Sequence, residues 1–417
     1  MWTEQDESEL LINYLFDWCG LLLRWLHVIA GIAWIGASFY FVWLDDHLEP
    51  LSSLDPGDPG VAGELWAVHG GGFYRSRKYR VAPASLPPRL HWFYWEAYTT
   101  WLSGFGLLCL LYFRTAAVYL IDPAVMALSR PVAVATALGI VIASWIVYDG
   151  LCRSPLGNKP RLLATMVALV SVLEAWGVCH IFSGRGAFMV FGASLGTIMV
   201  ANVLFVIIPG QRELVRAKQE GREPDPGPGL MGKQRSVHNT YFTLPVLFVM
   251  ISNHYAMTYD APENWMVLIA MSFAGACIRG WFVARHRPEG RRGLRAALPA
   301  ALGALTLVGL VAALAPKAGP VVTARGAAAV HDPARGGIEA IVEERCVPCH
   351  SKTPSNRFGF AAAPNGVMFD TVNELRAREA NVQEMLSSRA MPPGNVTGMT
   401  DEERGEILTW IAHGAPP

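Results

Sequence analysis

Two cysteines and a histidine stand in the order Cys346-Val347-Pro348-Cys349-His350. Thiols at this spacing with an adjacent imidazole form the attachment pattern of a c-type haem. The thiols add to the haem vinyl groups, and the histidine then sits beneath the iron as proximal ligand. A zinc site would want two further Cys or His ligands, and only His413 follows. A redox Cys-x-x-Cys pair would need a βαβ setting, which this stretch lacks. Met368, Met385, Met391 and Met399 all follow His350. Met391 lies in Ala390-Met391-Pro392-Pro393-Gly394-Asn395, a non-helical stretch pinned by two prolines, and is the expected sixth ligand. Met385 falls on a helical stretch and is expected to pack against the haem edge or the core. His/Met ligation raises a haem's reduction potential, which suits an electron acceptor.

A second group of candidates consists of polar residues inside long apolar runs, where an ionisable group costs a few kcal/mol or more. Arg24 and His27 share a helix face. Glu174, Trp176 and His180 cluster in one run, and Asn253 and His254 end another. His27, His180 and His254, on three helices, could reach a common depth. They read either as a b-type haem or substrate site, or as core histidines paired with Glu174 or Asn253. Asn202 reads as an interhelical hydrogen bonder. Glu96, Asp149 and His286 lie close enough to run ends to be solvated, with Arg279 nearby. His69 before Gly70-Gly71-Gly72, near Tyr74 and Arg75, reads as an anion-binding loop or a flexible connector.

These residues need elements to hold them. The 417 residues are 52% hydrophobic and only 16% charged, with zero net charge. That balance excludes a nucleic-acid binder, which needs a basic stripe, and a disordered chain, which would be less apolar. Cys19, Cys109, Cys152, Cys179 and Cys277 are scattered through apolar stretches and read as small buried hydrophobes. A spanning helix needs about 20 mostly apolar residues, and that window predicts eight. They are Trp18–Trp43, Trp92–Phe113, Pro131–Gly150, Arg161–Phe182, Ala187–Pro209, Thr240–Met257, Asn264–Arg285 and Ala296–Ala315. The acidic amino terminus lacks a basic n-region, so the first run is expected to remain as a span.

Nineteen basic residues fall in alternate connections, around 45–91, 151–161, 210–239 and 285–295. The opposite connections offer only Arg114, Arg130 and Arg185. This asymmetry predicts the basic loops in the cytoplasm and both termini on the far side of a bacterial inner membrane, in the periplasm. Residues 316–337 are rich in Ala, Gly and Pro and read as a linker between an integral membrane domain (1–315) and a small soluble domain (338–417). A core that small needs a staple, which a covalent haem would provide. Its last helix is expected over Asp401–Ala412, capped by Thr400 with Glu403 and packing Ile407, Leu408 and Trp410 inward. The expected fold class is all-α: an eight-helix transmembrane bundle plus a small class I-like cytochrome c domain.

Several of these segments resemble the membrane-bound urate oxidase (urate hydroxylase) family. They are Arg24-Trp25-Leu26-His27 with Gly31–Tyr40, Glu96–Gly104, Glu174-Ala175-Trp176-Gly177, and Tyr241–Val246 with Met250–His254. The likeness runs over almost the whole chain, haem motif included. It implies oxidation of urate to 5-hydroxyisourate in purine breakdown, with electrons passed to the attached cytochrome c. The expected pocket pairs an arginine, Arg24 or Arg279, with an amide such as Asn253. Glu174, His180 and His254 are the candidate bases. Two electrons leave urate while one haem c accepts one at a time, so either the haem c discharges between two transfers or another centre, such as a haem b in the membrane domain, stores an electron. A soluble cytochrome c or a terminal oxidase would be the electron sink. The competing readings are a quinol-to-cytochrome c electron-transfer protein and a solute transporter with a redox gate.

Overall fold

The computed structural model describes residues 4–51, 60–123, 125–285, 294–315, 337–355, 363–364, 367–387 and 389–416. The chain begins with α1 (Glu4–Asp46), followed by an antiparallel hairpin, β1 (Val61–His69) and β2 (Gly72–Tyr79). Helices α2 (Trp95–Leu107) and α3 (Ala116–Tyr119) come next. Then follow α4 (Arg130–Arg153), α5 (Pro160–Cys179), α6 (Gly184–Asn202) and α7 (Ile208–Gln219). The bundle is completed by α8 (Pro226–Ser252), α9 (Ala256–Tyr259), α10 (Asn264–Arg285) and α11 (Leu294–Leu314).

Among the described residues, six helical stretches are long and apolar enough to cross a membrane, consistent with a multi-pass membrane protein. They are Tyr14–Asp46, Arg130–Arg153, Pro160–Cys179, Gly184–Gln219, Asn264–Ala284 and Ala297–Leu314. The other two predicted spans are helical but fall short. Glu96, Thr99, Thr100 and Ser103 dilute α2, which gives way to a π-helical stretch over Leu108–Phe113. Thr240–Met257 is not a helix of its own: its first part is the end of α8, whose opening half carries Lys233, Arg235 and His238.

The core centres on α6. Phe188, Val190, Phe191 and Leu195 pack there against Ala133, Ala137, Ala175, Val178, Val249 and Leu268 from α4, α5, α8 and α10. At Gly192 a Cβ would fall 2.5 Å from a Val249 methyl, so only glycine lets α6 and α8 approach this closely. The outermost helices turn large side chains outward: Trp25 and Ile32 on α1, Leu305, Val308 and Val311 on α11. That is the surface hydrocarbon would cover. Cys19 also lies exposed on α1, unlike the buried Cys152 and Cys179, and corrects its expected burial.

The hairpin departs from an all-α reading. Gly70 and Gly71 have φ of +58° and +82° and form the two-residue connection between strands, a turn that requires left-handed backbone at both positions. The Gly70–Gly72 run is therefore a hairpin turn rather than a flexible connector. Glu64, beside Arg75 and Arg77, ties the two strands together.

The carboxy-terminal unit holds α12 (Gly337–Arg345), α13 (Val372–Arg376), α14 (Glu379–Ser387) and α15 (Asp401–Ala412). Ile341, Val342, Phe369, Leu375, Leu386, Met399 and Ile407 form its core, with Leu408 and Trp410 packed against it. Thr400 and Glu403 form the expected capping box on α15, and Thr371 with Glu374 forms another on α13. His286 and linker positions 316–336 lie outside the described residues.

Candidate functional site

The two ends of the bundle hold different polar groups. At the end bearing the basic connections, Arg235 on α8 donates to Asp149 of α4 at 2.7 Å and its guanidinium lies over the Tyr148 ring. Asn202 of α6 donates to Asn239 at 2.9 Å and to the Tyr148 hydroxyl at 3.2 Å, while Tyr148 shares a 2.7 Å bond with His238. Asn239 donates in turn to the Met199 carbonyl. Asp149, expected to be solvated, is instead held by Arg235 and by Arg153 one turn along its own helix. Asn202 does bridge helices.

The opposite end is built around Ser183, the cap of α6. Its hydroxyl accepts from the Gly186 amide and donates to the Tyr119 carbonyl, while its own amide donates to the Leu120 carbonyl. Arg185 stands two residues on. It donates to the Tyr259 hydroxyl at 2.7 Å, and its guanidinium lies over the rings of Tyr119 and Tyr259. Tyr112, buried, donates to Asn253 Oδ1 at 2.9 Å, and its ring lies 5.9 Å from that of Tyr119. Arg185 has no carboxylate within ion-pair distance among the described residues. Asp260 follows Tyr259. Burial, reinforced by Asp122, pushes its carboxyl up to about 7 against the pull of Arg185, Arg404 and Arg389.

Of the residues singled out in the sequence, Asn253 is the one brought into this cluster by a hydrogen bond. His27 packs against Gly104 of α2, and its Nδ1 donates to the Thr100 carbonyl at 2.9 Å. Arg24 faces outward on α1. His180 is exposed at the end of α5, where its Nδ1 bonds the Trp176 carbonyl of its own helix. His254 is exposed just after α8. Glu174 is buried beside Ser144 and Ser194, with Oε1 unpartnered. Arg279 lies over Phe39, and its Nε and Nη2 are buried without partners. Among the described residues no three His, Cys, Asp or Glu side chains gather as a metal-binding group, so the three imidazoles do not meet at one centre.

The cluster contains residues the sequence reading did not single out. Arg185 and Arg235 entered only as loop charges, yet each is the hub of one end. A signal existed for Arg185: it is one of three basic residues on its side, and it directly follows an apolar helix.

In the carboxy-terminal unit, Cys346, Cys349 and His350 share the turn after α12, with the His350 amide donating to the Cys346 carbonyl. His350 Nδ1 donates to the Val367 carbonyl at 3.0 Å, which fixes the tautomer and leaves Nε2 free to bind a metal. Burial lowers the His350 pKa, favouring the neutral imidazole that ligation needs. Burial also pushes the thiols up, Cys346 to about 12 and Cys349 to about 11, opposite to the acidic thiolate of a redox pair. These groups fit a covalently held haem. Met391 is half-buried, and its carbonyl accepts from Arg404 at 2.7 Å.

The two units meet at the Ser183 end. A Cβ on Gly394 would lie 3.3 Å from the carbonyls of both Val118 and Ile121. Val396 and Cys349 pack with Val118 and Tyr119. The Met391 loop and the second motif cysteine therefore sit on the turn that carries Tyr119.

Residues 13–313 match the family model described as urate oxidase, N-terminal. No curated protein and no solved structure matches the chain.

Proposed function

The chain belongs to the urate oxidase N-terminal family, and on that premise we propose that it oxidises urate with water to 5-hydroxyisourate in purine catabolism. The reaction balances as urate plus water giving 5-hydroxyisourate, two protons and two electrons. Cys346 and Cys349 would hold a haem c covalently, with His350 and Met391 as its iron ligands. Such a haem would supply a one-electron acceptor, with a soluble cytochrome c or a terminal oxidase as the electron sink. Because two electrons must leave, a haem b among the membrane helices is the companion proposal. His27, whose Nδ1 is committed to a carbonyl, is its first candidate ligand.

The observation that carries this reading is the seating of the Cys349 and Met391 segments against Tyr119, at the end of the family-matched bundle where Arg185 and Asn253 lie. An oxidation site there would be next to its acceptor. The sparse basic residues at this end support a periplasmic position for it, in a bacterial inner membrane. Arg24, His27, Glu174, His180, Asn253 and His254 are the residues proposed for the chemistry. Glu174, His180 and His254 would compete for the role of base.

Urate added without oxygen to the purified full-length protein should reduce the haem c within a turnover. Reduction by quinol but not by urate would overturn the reading in favour of an electron-transfer protein. A pyridine haemochrome spectrum with no haem b component would end the haem b proposal alone.

A further inference from the structure

We propose that Arg185, Tyr112, Tyr119, Tyr259 and Asn253 form the binding site for the planar purine anion, beneath the Gly394–Val396 segment of the carboxy-terminal unit. The inference rests on the functional reading above and deepens it by placing the substrate.

A half-buried guanidinium ordinarily finds a carboxylate, because removing its charge from water is costly without one. Arg185 has three aromatic and phenolic contacts instead, the Tyr259 hydroxyl and the faces of Tyr119 and Tyr259, and the Asp260 carboxyl that feels its charge forms no ion pair with it. Its Nε and Nη1 donate to no described residue. Across Tyr112, the Asn253 amide accepts from the phenol through Oδ1, leaving Nδ2 without a described acceptor. The Tyr112 ring lies 5.9 Å from that of Tyr119, whose face Arg185 covers, so both donors belong to one cluster of tyrosines. Arg185 also stands in the first turn of α6, a helix of 19 residues whose amino-terminal dipole favours negative charge.

A ligand matched to these groups is anionic, flat and rich in acceptors along its edges. It would take charge-assisted hydrogen bonds from Arg185, accept from Asn253 and stack on a tyrosine. The urate anion has each of these properties. A small inorganic anion would leave the aromatic surroundings unused, and a neutral aromatic would leave the guanidinium uncompensated. Among the described residues of this cluster, Tyr119 is the one that also packs with Cys349 and Val396, so a ligand here lies within one aromatic ring of the second domain.

The test uses the full-length holoprotein in detergent. Urate binding is measured by equilibrium dialysis, and urate-driven haem c reduction is resolved into KM and kcat. Arg185→Gln should weaken urate binding about a hundredfold and Asn253→Ala about tenfold, as expected for a charged and a neutral hydrogen bond. Haem c reduction by ascorbate, which bypasses the site, should keep its wild-type rate in both variants. An Arg185→Gln protein that binds urate like wild type would overturn the placement while leaving the function standing. A wild type that neither binds urate nor is reduced by it would overturn the function itself. Should Arg185→Gln fail to fold, Asn253→Ala with Tyr112→Phe decides: unchanged urate affinity in that pair also overturns the placement.

Discussion

At one end of the bundle Arg235 is 3% exposed and bonded to Asp149 and the Asn202–Tyr148 network; at the other, Arg185 holds one phenol and two ring faces. The first cluster is closed. Its charge has a countercharge, and its amides and hydroxyls satisfy one another across α4, α6 and α8. The second is open: Arg185 Nε and Nη1 and Asn253 Nδ2 have no acceptor among the described residues. Closed networks tie helices together, whereas open ones wait for a ligand. The contrast separates a brace from a binding site within one molecule, using residues of the same type.

Substitutions can break or sharpen that contrast. The largest effect on stability is expected at the closed end. Arg235→Met leaves Asp149 with Arg153, an exposed partner, and should cost about 3 kcal/mol, the low end for breaking a buried pair, seen as a large fall in Tm in detergent. Arg235→Met with Asp149→Leu should recover most of the loss. A single variant as stable as wild type would show that the network braces nothing.

Next comes the seam between the units. Gly394 has φ of +56° and lies against two carbonyls, so Gly394→Val should cost about 1–3 kcal/mol through backbone strain and overpacking. Urate-driven haem c reduction should slow while ascorbate-driven reduction does not. Equal slowing of both would place the fault inside the carboxy-terminal unit.

Arg185→Gln, which disables binding in the proposed site, should cost only about 1 kcal/mol of stability, the worth of its cation–π contacts. A Tm loss as large as that of Arg235→Met would erase the distinction between the two ends.

The last effect is a pH slope. Because the folded pKa of Asp260 is raised from 3.8 to about 7, its protonated form stabilises the fold. That contribution is complete below 3.8 and is lost as pH rises through about 7. Asp260→Asn should flatten this dependence, so its Tm should gain on wild type between about pH 4 and 7. Parallel curves would remove Asp260 from the account.

Much of the framework was legible because its signals are local. Apolar length marks a helix that can cross a membrane, as in the six stretches from Tyr14–Asp46 to Ala297–Leu314. Thr400 and Glu403 announce α15 for the same reason. What escaped was set by partners. Eight spans were expected and six helices are long and apolar enough, because the polar residues of α2 and the charged opening half of α8 lower their mean hydropathy. Gly70 and Gly71 looked like slack until Val68 was found opposite Phe73. Arg185 and Arg235 have the same look in sequence, a cation beside an apolar run. Only the groups that surround them, Asp149 for one and three tyrosines for the other, give them different meanings.

Ser183 links several of these threads. One side chain and one amide reach the Gly186 amide and the Tyr119 and Leu120 carbonyls, while its Cβ lies under Gly394. In mechanical terms, the seat of the carboxy-terminal unit and the first turn of the Arg185 helix turn on a single bearing. Neither can shift alone, so the alignment of the two units is machined into the same few atoms that aim the arginine.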